Sequence, residues 1–276
     1  MKISLITNVK WSNLKYYYFI IINMEDKLIT AIKIIFLLGF LIFIHEFGHY
    51  TIAKMCKVRV NEFSIGFGPK IFSKAKNETT YEIRLIPLGG YVSLEGEDEH
   101  SDKEGSFNKA SIPKRIAIIA AGAVVNIIFG LILYFIIIQI RYIIVMNSSF
   151  LEGTKYAFYA LGQLIVELFK EVGYIFSGHL SIDDMTGPVG ISSMISKTNG
   201  FVEFLYLLSI ISISLGMTNL LPFVPLDGGK ILLLIIEAIR KKELPENIVI
   251  NLNMIGMFIL ITLSVFVTFN DVKRAI

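Results

Sequence analysis

Ile34-Ile35-Phe36-Leu37-Leu38-Gly39-Phe40-Leu41-Ile42-Phe43-Ile44-His45-Glu46-Phe47-Gly48-His49 decides how this chain is read. An unbroken apolar run ends in two histidines four residues apart. On a helix the two imidazoles fall on one face and can share a Zn²⁺ ion. Glu46 between them can serve as general base toward a water. Ionisable side chains beside hydrocarbon are costly, and their default meaning is function. The bland alternative is that the two histidines and the glutamate bond to neighbouring helices without a metal.

Composition sets the surroundings of that stretch. The chain has 276 residues, 54% hydrophobic and only 18% charged, with net charge +3. Apolarity gathered in several long runs means a multi-spanning membrane protein whose partner is the lipid bilayer. A single cysteine, Cys56, excludes a disulfide framework and any cysteine-based zinc cluster. No basic stripe or finger spacing points to nucleic acid. No small-residue cleavage site follows an apolar segment near the N-terminus, so no removable signal peptide is expected.

Four stretches can cross a bilayer, which takes about 20 mainly apolar residues. They are roughly 28–53, 116–140, 204–221 and 248–269, and a further apolar segment, 231–239, follows the third. Residues 54–115 hold eleven Lys and Arg, whereas residues 146–203 hold three. The first and third loops are therefore expected to be cytoplasmic, with the second loop and the C-terminus outside. Lys2, Lys10 and Lys15 conflict with an outer N-terminus, while Met24-Glu25-Asp26 suits it. Residues 1–23 then read as an extension ahead of the true start at Met24; the rival reading makes residues 11–24 an interfacial segment.

The rise of a helix places His45 about 25 Å from Leu28, near the cytoplasmic face. A catalytic zinc needs a third protein ligand and one open position. His100 lies in an acidic loop, 95–104, that reads as solvated. His179 falls on the outer side. Asp227 is the better candidate, in Asn219-Leu-Leu-Pro222-Phe-Val-Pro225-Leu-Asp227-Gly228-Gly229. Prolines and glycines interrupt the helix there, and broken helix at membrane depth lines a cavity. The alternative is a loop aspartate in cytosolic water.

These motifs resemble the site-2 protease family of intramembrane zinc metalloproteases, in its bacterial regulated-intramembrane-proteolysis branch. The resemblance rests on His45-Glu46-x-x-His49, Asn219-x-x-Pro222 with Leu226-Asp227-Gly228, the glycine-bearing stretches 63–69 and 86–92, and Ala120–Asn126. It implies that His45, His49 and Asp227 ligate zinc and that Glu46 is the base. It implies substrate-binding roles for Asn219 and Asn126. The resemblance also suggests a small sheet, carrying Gly66, Gly68, Gly89 and Gly90, with one edge presented to an unwound substrate. The alternative is a stiff hairpin that caps the site.

The implied fold is an α-helical polytopic membrane protein of about four transmembrane helices. Residues 24–276 would form one metalloprotease domain, with a small cytoplasmic β-hairpin insertion at 54–112. The segment 147–203 is too short for the PDZ domain usual in this branch. It should instead hold an extracytoplasmic amphipathic helix over 153–177, lying on the membrane surface. Ala123, Ser214 and Pro225 depart from residues common in the family.

The expected activity is zinc-dependent cleavage of helical transmembrane segments or remnant signal peptides in the bacterial cytoplasmic membrane, near its cytoplasmic face. An upstream site-1 protease or accessory membrane protein is an expected partner. A silent membrane scaffold or chaperone with a structural zinc site is the alternative, though such a site needs no Glu46. A transporter fits poorly, because the spans show no internal repeat.

Overall fold

The computed structural model describes residues 11–97, 99–177 and 185–275. His179 and residues 1–10 lie outside the described residues. In chain order the elements are α1 (Trp11–Met55), β1 (Val60–Lys76), β2 (Thr79–Leu94), α2 (Ile112–Met146), α3 (Phe150–Ser177), α4 (Pro188–Ser196), α5 (Phe201–Asn219), α6 (Asp227–Arg240) and α7 (Glu246–Ala275). Four stretches are long and apolar enough to cross a membrane: Lys27–Met55, Ile112–Met146, Phe201–Asn219 and Glu246–Arg274. The protein is a polytopic helical membrane protein with a sheet insertion. Residues 11–24 run without a break into the rest of α1.

Small residues let the spans approach. A Cβ on Gly216 of α5 would come 2.5 Å from the Ala123 carbonyl oxygen, and one on Gly130 of α2 would come 2.7 Å from that of Ser209. The Ser212 hydroxyl donates to the Asn126 carbonyl across the same seam at 2.8 Å. This is how helices associate where lipid removes the hydrophobic driving force. Leu37, Leu41, Ile195, Phe204 and Leu208 form one core between α1, α4 and α5. A second core gathers Ala53, Val58, Val60, Leu94, Ile118 and Leu234, and Cys56 packs against it.

The sheet is more folded than a hairpin. β1 and β2 pair antiparallel, with Val60 opposite Leu94 and Lys76 opposite Thr79. Register shifts also set residues 62–65 beside residues 80–83. β2 runs as continuous strand through Gly89 and Gly90. Arg84 ties the strands together, donating to Glu62 at 2.8 Å, to Glu82 at 2.7 Å and to the Tyr91 hydroxyl at 2.7 Å.

Among the described residues, 147–203 contains no strand. α3 turns back along the end of α2: Gln139 donates to Thr154 at 2.7 Å, and the rings of Tyr142 and Tyr156 stack at 4.3 Å. α3 is not among the helices that meet the length and hydropathy of a span. Two of the contacts that hold α7 lie near its middle and its end. Gly256 lies against the Val224 carbonyl, and Asp271 accepts from the Gly190 N–H at 2.8 Å.

Candidate metal centre

His45 and His49 occupy one face of α1, as their spacing requires. The helix crosses α2 at a point where both chains lack a Cβ. A Cβ on Gly48 would come 2.6 Å from the Ala121 carbonyl oxygen, and one on Gly122 would come 2.4 Å from His49 Nε2. The imidazoles are thereby pressed against the α2 backbone. His49 Nδ1 donates to the Ile118 carbonyl at 2.9 Å. That bond commits the Nδ1 proton, fixes the tautomer and leaves a lone pair on Nε2.

Asp227 arrives from a different part of the chain. After α5 ends at Asn219, residues 220–226 turn tightly and α6 begins at Asp227. Gly228 and Gly229 make the turn possible, since a Cβ on either would come within 2.2 Å and 2.4 Å of backbone atoms at 220 and 224. Asp227 Oδ2 lies 3.1 Å from His45 Nε2 and 3.5 Å from His49 Nε2, and the two Nε2 atoms are 3.1 Å apart. Zinc–ligand bonds of about 2.0–2.2 Å at tetrahedral angles put ligand atoms about 3.3–3.5 Å apart. The observed triangle, with sides of 3.1, 3.1 and 3.5 Å, is slightly tighter than those dimensions on two sides and matches them on the third. Asp227 Oδ2, which faces both Nε2 atoms, is buried without a hydrogen-bond partner. Lone pairs converging in this way are costly unless a cation joins them. The donor set fits zinc, which accepts imidazole nitrogen and carboxylate oxygen. Among the described residues, these three form the one cluster of three or more histidines, cysteines and acids close enough to share a metal ion.

The triangle opens into a cavity of about 190 Å³. Glu46 lines it together with Tyr91, Val92 and Leu94 of β2. The sheet dips beside α1 to reach this place. A Cβ on Gly39 of α1 would come 2.7 Å from the Pro87 carbonyl oxygen, and one on Gly90 would come 3.5 Å from Glu46 Cγ. Phe63 packs on Phe43 and Tyr50 of α1, with ring centroids at 6.1 and 5.2 Å. Burial, with Glu62 as hydrogen-bond acceptor, pushes the Tyr91 phenol up to about 12, so it stays protonated.

The other glycines and the two asparagines named from the sequence stand farther off. Gly66 and Gly68 take positive φ, 89° and 82°, at the bend of β1, and Gly89 lies under the Phe67 ring. None of the three lines the metal cavity. Asn219 closes α5, half-buried, and also lies outside the cavity lining. Asn126 is fully buried in the α2–α5 seam, and its carboxamide nitrogen and oxygen have no partner.

One expectation is corrected. The acidic loop after β2 is not simply solvated. Glu95 is buried and accepts hydrogen bonds from Ser101 at 2.6 Å, Lys103 at 3.1 Å and Asn61 at 3.0 Å, which hold its carboxyl at about 2. Glu97 lines the metal cavity, where it meets Lys230 of α6. His100 is a surface residue, with its side chain 66% exposed.

The sequence profile of peptidase family M50 matches residues 33–263. This chain belongs to that family, the site-2 type of zinc metalloprotease, and zinc is its cofactor. It is 27% identical to a Clostridium acetobutylicum protein provisionally named a zinc metalloprotease, over 85% of this chain and 94% of that one. It is 25% identical to a Fusobacterium nucleatum protein named in the same way, over 89% and 99%. The zinc metalloprotease RasP of Bacillus licheniformis is 24% identical over the same shares.

Proposed function

We propose that this chain is an intramembrane endopeptidase in which His45, His49 and Asp227 hold zinc and Glu46 is the general base. The observation that carries this reading is the convergence of three lone-pair atoms within 3.5 Å at the end of an apolar span. When bound there, zinc supplies Lewis acidity toward the scissile carbonyl and the attacking water. Glu46 takes the proton from that water and passes it to the leaving nitrogen. Among the described residues that line the cavity there is no serine, threonine or cysteine for covalent attack.

The substrates are helical transmembrane segments or remnant signal peptides. A helix hides its carbonyls, so the substrate must unwind, and an unwound backbone can pair with a strand edge. The 90–94 segment beside Glu46 supports that role. The unpartnered carboxamide of Asn126 supports a role in pairing with peptide backbone, and Asn219 is proposed to act with it. The excess of Lys and Arg over residues 54–115 supports a multi-pass topology in the bacterial cytoplasmic membrane, with the site near the cytoplasmic face. A site-1 protease or accessory membrane protein is proposed to act upstream, since 147–203 has no room for a PDZ domain.

The test is cleavage of a helical membrane peptide by the purified, zinc-loaded protein. Wild type should cleave within the apolar segment, and Glu46→Gln should keep the metal yet leave the peptide whole. Equal cleavage by the variant would reject the mechanism.

A further inference from the structure

Lys230 is the one lysine or arginine among the described residues that line the metal cavity. It stands three positions after Asp227, so both side chains leave the same face of α6. Its Nζ donates to Glu97 Oε1 at 2.8 Å, a contact between groups 133 residues apart. The Lys230 side chain is 42% exposed and that of Glu97 20%. On the far side of the pair lies a second cavity, of about 390 Å³. Glu97, Lys230 and Ile119 line both cavities, so the ion pair forms part of the wall between them.

Hydrolysis changes the charge inside the first cavity. A neutral amide goes in, and a carboxylate and an amine result. The new carboxylate is formed beside Glu46 and Asp227, in a site with limited water. An anion among like charges in such surroundings needs a cation close by. Lysine is suited to this exchange, as a point charge on a flexible stem. While the cavity holds a neutral peptide, Glu97 keeps that charge partnered.

We propose that Lys230 binds the product: it exchanges Glu97 for the newly formed carboxylate. The proposal rests on the endopeptidase reading of the metal centre.

Its test is a binding measurement that does not depend on turnover. Two labelled fragments of a helical membrane peptide are titrated onto the zinc-loaded, full-length protein in micelles. One ends in a free carboxylate and the other in an amide. Wild type should prefer the carboxylate. Lys230→Met should cut that preference about tenfold, the value of one charge-assisted hydrogen bond. Lys230→Arg should restore most of it. Glu97→Gln, which removes the charge of one standing partner, should increase it. An unchanged preference in Lys230→Met overturns the proposal, and so does a preference lowered by Glu97→Gln. Should Lys230→Met lose its zinc, the Glu97→Gln titration decides alone. Failure of wild type to cleave any helical peptide would count against the endopeptidase reading instead, and it is scored in a separate assay.

Discussion

Gly122 and His49 touch so closely that a single added carbon would reach the imidazole: a Cβ on Gly122 would lie 2.4 Å from His49 Nε2. The same imidazole is anchored from its other nitrogen by the Ile118 carbonyl at 2.9 Å. One helix therefore sets both the position and the tautomer of a histidine on another. Gly122→Ala must displace the ring from that anchor. Its zinc affinity, read by competition with a chelator, should fall about 10–100-fold, the usual effect of losing a supporting contact behind a ligand. Undiminished affinity would show that the α1–α2 contact does not set the ligand geometry.

Glu46→Gln separates metal binding from chemistry. Glu46 lines the cavity but is not one of the three converging atoms. The variant should keep its zinc by elemental analysis and lose about 10²–10⁴-fold in kcat/KM, the range for a positioned acid–base group. Loss of zinc would move Glu46 from the reaction to the metal.

Gly90→Val tests the sheet edge. A Cβ there would come 2.7 Å from the Ser64 carbonyl oxygen and 3.5 Å from Glu46 Cγ. The larger side chain must part the 90–94 segment from Ser64 of β1 and so shift that edge beside Glu46. Peptide cleavage should fall at least about tenfold with zinc content unchanged, since small misplacements beside the reacting atoms have large effects on rate. Normal cleavage would leave the sheet as a cap without a part in binding substrate.

Glu95 makes the loop after β2 sensitive to acid. Its folded pKa, about 2, lies below the ordinary 4.5 because Ser101, Lys103 and Asn61 donate to the carboxylate. A depressed carboxylate stabilises the fold above the ordinary pKa, and that contribution is lost as pH falls toward the folded value. Amide exchange over residues 95–109 should therefore accelerate, beyond the intrinsic pH effect, as pH drops below about 4.5. Glu95→Gln should remove this step. A step that persists in Glu95→Gln would assign it to another group.

Much of the site could be read from sequence. His45, Glu46 and His49 were legible because helical spacing alone puts the imidazoles together, and the apolar run before them gives their setting. Asp227 was legible because proline and glycine break a span at matching depth. Glu97 was missed. It sits in a charged stretch that reads as surface, and only a contact with Lys230, 133 residues away, reveals its place. Lys230 did carry a signal, since it follows Asp227 by three positions on an amphipathic helix. The double pairing of residues 62–65 was not legible, because register shifts depend on what packs against the sheet. The backbone contacts at Gly48 and Gly122 also needed the fold, as neither glycine announces its neighbour.

The zinc content of the purified protein, wild type against Asp227→Ala, bears most directly on the metal centre. Wild type should carry about one zinc per chain, and Asp227→Ala should lose most of it under the same dialysis, because two imidazoles alone are a poor zinc site. Full zinc occupancy in Asp227→Ala would contradict the three-residue centre on which the proposed chemistry depends.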